Sequence, residues 1–191
     1  MQPYAIAVLV ATIGIFGTSA WAKLRGREPF GIYRAGLRAT HLIPEPALAL
    51  VAATLAAVEV AAAVLALVAV VATCVRSPAA PTIAAIAMIV AAGVMTVLTA
   101  GVIASIRRGS DAPCVCFGAS KPLGPLHAIR NGLLLMALIV GVAGMAGAGP
   151  AHLFVDVIAA LAGGIAAALF VHADELVDLF VLTPSVREER H

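Results

Sequence analysis

Two cysteines, Cys114 and Cys116, are separated by a single residue in a short polar stretch between two apolar segments. The chain has 3 cysteines, which are too few for a disulfide scaffold. A close thiol pair is typical of thiol–disulfide exchange or of soft-metal binding, and the remaining reading is two small residues buried in a tight turn. A disulfide that spans one residue closes a strained ring and is easily reduced, which favours a relay disulfide over a structural one.

Positive charge near a thiol stabilises the reactive thiolate, so the neighbouring cations are candidate site residues. Arg130 is the strongest candidate because it falls, beside Asn131, inside an apolar segment where an unpaired charge is costly. Glu59 is the acidic counterpart in another apolar segment, with Lys23, Arg130 and His127 as candidate partners. Its side chain is either protonated and serves packing, or is a proton acceptor, or anchors a quinone headgroup. Further cations, which either join the site or are ordinary interfacial residues, are Arg34, Arg38, Arg107, Arg108 and Lys121.

The composition is that of an integral membrane protein surrounded by lipid. Hydrophobic residues make up 62% of the chain, charged residues 12%, and the mean hydropathy is +1.07. A soluble domain carries about 25% charged residues. The net charge of +2 and the absence of a basic run interleaved with aromatic residues give no support for a nucleic-acid partner, and we expect none.

The apolar segments predict an all-α, polytopic membrane protein, because a helix that crosses the hydrocarbon needs about 20 apolar residues. Five segments qualify, at about residues 3–22, 46–74, 82–106, 126–146 and 151–171. The amphipathic stretch 28–44 predicts a short helix at the membrane interface. Short loops predict antiparallel neighbours, and abundant Ala and Gly predict close packing. We expect residues 1–172 to form one bundle domain and residues 173–191 to form a charged tail.

Five crossings place the thiol stretch, the loop after the first span and the C-terminus on one membrane face. Cys74 and Arg76 then lie on the opposite face, about 30 Å from the thiol pair. Disulfide partners need α-carbons within about 7 Å, so Cys74 cannot pair with Cys114 or Cys116 in one subunit. We expect Cys74 to be a small buried hydrophobic residue.

The pattern resembles the MauE/DoxX family of redox-associated membrane proteins, named for methylamine utilisation. The residues that carry the resemblance are Ala22-Lys23-Leu24, Phe30, Tyr33-Arg34, Leu42-Ile43-Pro44, Glu59, Cys114-Val115-Cys116-Phe117-Gly118 and Arg130-Asn131. The resemblance implies action with a thioredoxin-like or secreted thiol protein outside the cytoplasm. The bundle is also distantly similar to vitamin K epoxide reductase, in which a thiol pair passes electrons to a quinone. This chain departs from that enzyme because it has Cys-x-Cys and no loop cysteine pair.

The leading hypothesis is a membrane thiol–disulfide redox protein that relays electrons between a protein partner and the membrane. The catalytic residues would be Cys114, Cys116, Arg130 and Glu59. No nucleotide, flavin or haem motif is visible, so we expect no tightly bound cofactor. A cofactor would be either borrowed or lipid-soluble, and a quinone is the candidate. The cofactor-binding candidates are Lys23, Arg34, Phe117, His127 and Asn131. Two alternatives stay open: a non-catalytic subunit of a membrane complex, and a soft-metal-binding membrane protein.

The distribution of charge and the family resemblance predict opposite sides of the membrane for the thiol face. Arg76 is the one residue among the 12 Lys and Arg that falls on the face opposite the thiols. The positive-inside rule therefore places the thiol face in the cytoplasm. The family resemblance places it outside, where disulfide chemistry is sustained. We expect a multi-pass protein of the cytoplasmic membrane with its thiol loop outside.

Overall fold

The computed structural model describes residues 3–109, 125–146, 153–173 and 175–176. Their helices are α1 (Pro3–Leu24), α2 (Arg27–Ala39), α3 (Glu45–Cys74), α4 (Ala80–Arg107), α5 (Pro125–Ala143) and α6 (Leu153–Val171). A 3₁₀ turn, Gly144–Ala146, follows α5, which therefore ends before the predicted residue 146. No strand occurs in these ranges. The prediction of an all-helical protein is confirmed.

Five helices, α1, α3, α4, α5 and α6, are long and apolar enough to cross a membrane. They match the five predicted spans, and α2 is the predicted short helix after the first one. Both α3 and α4 carry a proline in the first turn, where its missing N–H has no helical partner to lose. Hydropathy and start signals together explain why these segments form these helices.

Helix α1 is the centre of the bundle. It packs against α3 and α6 along much of its length and also touches α4 and α5, while α3 packs on α4 and α4 on α5. Ala7 of α1 contacts Gly163 of α6, and Gly14, which lies further along α1, contacts Ala167, which lies further along α6. The two helices therefore run parallel. This is the arrangement that the first and fifth of five antiparallel crossings require.

Small residues allow the helices to approach closely, as predicted. A Cβ added at Gly163 would clash with the backbone of Ala7, and one at Gly14 would lie 2.6 Å from the Cβ of Ala167. Close approach of the backbones increases the dispersion contacts between helices, which stabilise the bundle because lipid provides no hydrophobic force between them. Buried alanines at helical spacing form the packed faces of α3 and α4: Ala52, Ala56, Ala62, Ala66, Ala69, Ala84, Ala87 and Ala91.

One end of the bundle, here called the thiol end, contains the end of α1, the start of α3, the end of α4 and the start of α5. The segment 110–124, which carries both thiols in the sequence, joins α4 to α5 at this end. Arg108 donates a hydrogen bond to the backbone oxygen of His41 at 3.1 Å, which ties the end of α4 to the chain after α2. Cys74 ends α3 at the opposite end and is exposed. The expectation that Cys74 is buried is therefore wrong, because the packed face of α3 does not extend to its last residue.

Candidate functional site

Lys23 and Glu59 form a buried ion pair between α1 and α3. The ammonium Nζ lies 2.6 Å from each carboxylate oxygen of Glu59, and the two residues are 1% and 0% exposed. Lys23 also donates to the hydroxyl of Ser19 at 3.0 Å, and that hydroxyl donates to Oε2 of Glu59 at 3.0 Å. The three donors of the ammonium therefore have three acceptors, as a buried charge requires.

The ion pair lies at the thiol end and not at the middle of the bundle. Glu59 is at the midpoint of α3, which has 30 residues, but it meets Ser19 and Lys23 in the last turns of α1. Residues 45–58 precede it, or about 20 Å of helix at 1.5 Å per residue. The start of α3 therefore extends past the end of α1. Glu59 thus lies closer to the thiol end than its position in the middle of α3 indicates.

Helix α2 covers the ion pair. Tyr33, the buried aromatic residue of α2, places its ring centroid 4.7 Å from Nζ of Lys23, a cation–π contact. At the far end of α2, Arg38 binds both carboxylate oxygens of Glu45, at 2.6 and 3.0 Å. This hydrogen bond raises the pKa of Arg38 and links α2 to the start of α3.

A second polar cluster lies on α5, where His127, Arg130 and Asn131 are all buried. Their spacing of three and four residues places them on one face of the helix. The guanidinium of Arg130 lies 4.8 Å from the ring centroid of Phe170 on α6 and donates to its backbone oxygen at 3.4 Å. The sequence predicts that a charge inside an apolar segment needs stabilising contacts, and Arg130 makes such contacts with Phe170.

A cavity of about 20 Å³ separates this cluster from α1. That volume is enough for one water molecule. Its walls come from α1, α4, α5 and α6: Ile15, Phe16, Ser19, Met95, Leu98, Val102, His127, Arg130, Asn131 and Phe170. Ser19 lines this cavity and also binds Lys23 and Glu59, so it connects the two polar clusters.

The structure brings together most of the predicted site residues, in two groups. Lys23 pairs with Glu59, while His127, Arg130 and Asn131 share the cavity. Arg34 lies apart on α2, half-buried, and its Nε has no hydrogen-bond partner among the described residues. Three predicted residues lie outside the described ranges: Cys114, Cys116 and Phe117.

Sequence reasoning missed Ser19, Tyr33 and Phe170 as parts of the site. Ser19 had a signal, because it precedes Lys23 by four residues and therefore shares a helix face with it. No sequence signal indicated Phe170, because it lies 40 residues after Arg130 and the two side chains meet only through the packing of α6 in the bundle.

An open groove of about 390 Å³ lies next to the ion pair, between the end of α1, α2 and α3. It is mainly apolar and carries one charged residue at its edge. Its lining residues are Leu24, Gly26, Arg27, Phe30, Ala53, Ala56 and Ala57. Within the described ranges, no group of three or more His, Cys, Asp or Glu could hold a metal ion.

Fold and site define a multi-pass helical membrane protein with a buried ion pair and a buried arginine at one end of its bundle. Residues 1–144 match the family model described as methylamine utilisation protein MauE. The chain belongs to the MauE family, and the resemblance stated from the sequence is confirmed. Searches of curated proteins and of solved structures found no match. The distant likeness to vitamin K epoxide reductase stays a prediction.

Proposed function

We propose that this MauE-family protein is a membrane thiol–disulfide relay whose working pair is Cys114 and Cys116. The observation that carries the proposal is the buried Arg130, placed in the second turn of α5, directly after the segment with the two thiols. A cation near a thiol stabilises the thiolate that thiol–disulfide exchange needs.

In the exchange, one thiolate attacks a disulfide of a thioredoxin-like or secreted protein and forms a mixed disulfide. The second thiol then attacks the mixed disulfide, which releases the partner as a dithiol and leaves Cys114 bonded to Cys116. Two electrons pass to the partner, and two protons leave the pair and are taken up by the partner's sulfurs. The reverse sequence oxidises the partner. We place this chemistry on the outer face of the cytoplasmic membrane, where disulfides persist.

The lipid-soluble acceptor proposed for the relay is a quinone, and the groove beside the ion pair suits such a ring. It is apolar and open, with Phe30 to contact the ring and Arg27 to donate a hydrogen bond to a carbonyl oxygen. A bound quinone would accept two electrons and two protons. The residues Ala53 and Ala57 leave room for it on α3, because their side chains end at Cβ.

The thiol substitutions test the relay. Cys114→Ser and Cys116→Ser should each abolish exchange with a disulfide substrate in purified protein, while Cys74→Ser should leave it intact. Mass spectrometry should show a two-hydrogen difference between the oxidised and reduced peptide. Full exchange in either of the first two variants would contradict the relay, and tightly held metal in the untreated protein would favour the soft-metal alternative. Undiminished function of the host complex without both thiols would favour an accessory subunit.

The groove is tested separately. Ala53→Trp should fill the groove and slow reoxidation of the pair by a short-chain quinone, while exchange with a protein disulfide continues. Val64→Trp is the matched control, because Val64 is an exposed residue of α3 that does not line the groove. Equal reoxidation rates in the two variants would exclude this groove as the quinone site.

A further inference from the structure

Part of the thiol end extends well beyond the lipid. Helices α3 and α4 have 30 and 28 residues, or about 45 and 42 Å, whereas the hydrocarbon is about 30 Å thick. Helix α1, with 22 residues, matches that thickness, and its exposed Trp21 marks the lipid boundary near its end. The excess length of α3 lies at this end, because Glu59 is level with the last turns of α1. It exceeds the lipid headgroup layer, which is about 5–8 Å thick.

The end of α2, the start of α3 and the end of α4 form this extension, here called the projecting tip. Arg38 of α2 binds Glu45 of α3, and Phe30, two turns earlier on α2, shares the groove with Ala53, two turns later on α3. The two helices therefore run antiparallel. Arg108 ties the end of α4 to the turn between them. A surface held by such contacts loses little conformational entropy when a partner binds.

The projecting tip carries a strong positive charge. Its arginines are Arg34, Arg38, Arg107 and Arg108, and the carboxylate at this level within the described ranges is Glu45, which Arg38 binds. Arg107 and Arg108 are exposed, and neither they nor Arg34 forms an ion pair in the part of the chain that the structure describes. A cationic surface in water attracts and orients a partner of opposite charge.

An exposed leucine lies among these arginines. Leu50 is 71% exposed and shares a face of α3 with Ala53, so it extends the apolar groove onto the tip. Residues 50–58 precede Glu59, or about 13 Å of helix, which places Leu50 beyond the headgroups. The antiparallel packing places Arg34 level with it. Apolar surface surrounded by arginine is typical of a protein–protein interface, whereas lipid chains do not reach this height.

We propose that the projecting tip is the docking surface for the soluble protein whose disulfide the relay exchanges. The partner presents an acidic face with an apolar side chain at its centre. The proposal rests on the thiol–disulfide function and adds the chemistry of the partner's surface to it. One residue, Gly109, separates Arg108 from segment 110–124, so a partner docked on the tip is held close to the start of that segment.

Binding of two fluorescein-labelled peptides to the wild-type protein, in nanodiscs of zwitterionic lipid, tests this surface. Both peptides contain glycine, a central leucine and no cysteine, and one carries glutamates where the other carries lysines. Fluorescence anisotropy should show binding of the acidic peptide and none of the basic peptide. Raising the NaCl concentration from about 0.05 M to about 0.5 M should weaken the binding, because salt shortens the range of electrostatic attraction.

Charge reversal at the end of α4 locates the binding. Arg107→Glu together with Arg108→Glu should weaken binding of the acidic peptide about 10-fold, because each substitution replaces attraction with repulsion. Arg76→Glu is the matched control and should leave binding unchanged, since Arg76 is an exposed arginine at the opposite end of the bundle. Arg107→Gln together with Arg108→Gln should give a smaller loss. Circular dichroism checks that each variant is folded.

The leucine is tested by a pair of substitutions, one on each side. Leu50→Ser should weaken binding of the acidic peptide about 3-fold, because an apolar contact is lost. It should not change the binding of an acidic peptide in which serine replaces the central leucine. Equal losses with the two peptides would remove Leu50 from the docking surface.

Two outcomes would overturn the docking surface as a whole. One is equal binding of the acidic and basic peptides, or an equal loss with Arg76→Glu and with the reversal at α4. The other is retention of anionic lipid by the wild-type protein, lost on reversal at α4, with no peptide binding, which would assign the tip to lipid headgroups.

The failure of this surface and the failure of the relay are distinguishable, because the peptides contain no sulfur to exchange. If the thiols exchange with a small neutral disulfide while the acidic peptide does not bind, the relay stands and the docking surface fails. If the acidic peptide binds at the tip while the thiols never exchange, the relay fails and the tip remains a docking surface for an acidic protein.

Discussion

Removing either partner of the Lys23–Glu59 ion pair should cost far more stability than breaking a surface salt bridge, and the two losses should be strongly non-additive. Lys23→Met leaves the Glu59 carboxylate, which is 0% exposed, with the Ser19 hydroxyl as its one donor in the part of the chain that the structure describes. Glu59→Leu leaves the ammonium with Ser19 and the ring of Tyr33. Removing one partner of a buried pair costs about 3–5 kcal/mol in free energy of unfolding.

The double variant Lys23→Met, Glu59→Leu should recover most of that loss. It replaces the pair with apolar side chains of similar size, an exchange that is often neutral or stabilising. The Ser19 hydroxyl can then bond a carbonyl of its own helix, as Thr12 and Thr18 already do. The coupling energy of the cycle should therefore be about 3 kcal/mol or more, well above the 0.5 kcal/mol typical of independent sites.

Unfolding by sodium dodecyl sulfate in mixed micelles measures these differences. Far-ultraviolet circular dichroism follows the whole bundle. The single tryptophan, Trp21, lies two residues before Lys23 on α1, is 70% exposed, and its fluorescence reports on the site itself. Single-variant losses below about 1 kcal/mol, or additive losses in the double variant, would refute the reasoning, since both would mean that the pair is solvated.

The remaining predictions concern helix packing and topology. Gly163→Ala should destabilise the protein and loosen α6 because its Cβ would clash with Ala7, while Gly164→Ala meets no atom within 4 Å and should be neutral or stabilising, by up to about 1 kcal/mol. Thermal unfolding of the two variants gives the comparison, and equal stabilities would contradict the tight crossing of α1 and α6. In membrane vesicles, an impermeant maleimide should label Cys74 from the side opposite to thiols in segment 110–124. Labelling of all cysteines from one side would contradict five crossings.

Much of the fold was predictable from local properties of the chain. The five spans follow from runs of apolar residues and their length, because lipid admits only segments that satisfy their own backbone. The short helix α2 follows from the amphipathic pattern of its sequence. The error over Cys74 shows the limit of such reasoning. A cysteine that ends a span was expected to be buried, yet burial depends on how far the neighbouring helix extends beside it.

The site was predictable in part. Glu59 and Arg130 were identified because charges in apolar helices need partners. Lys23 was one of several candidates to pair with Glu59, and the sequence contains nothing that selects it from His127 or Arg130. The Arg130 contact with Phe170 joins two helices whose relative position no local pattern encodes.

The sequence by itself determined the number of apolar spans, the connection of α4 to α5 by the segment with the thiols, and the family, because these depend on hydropathy, counting and motif. Only the tertiary structure decided that Lys23 meets Glu59, that Ser19 connects this pair to the cavity of Arg130, and that Glu59 lies near the thiol end. The physical reason is that two helices of unequal length pack at the offset and rotation at which their small residues allow the closest contact. The resulting offset decides which side chains face one another, and at what depth.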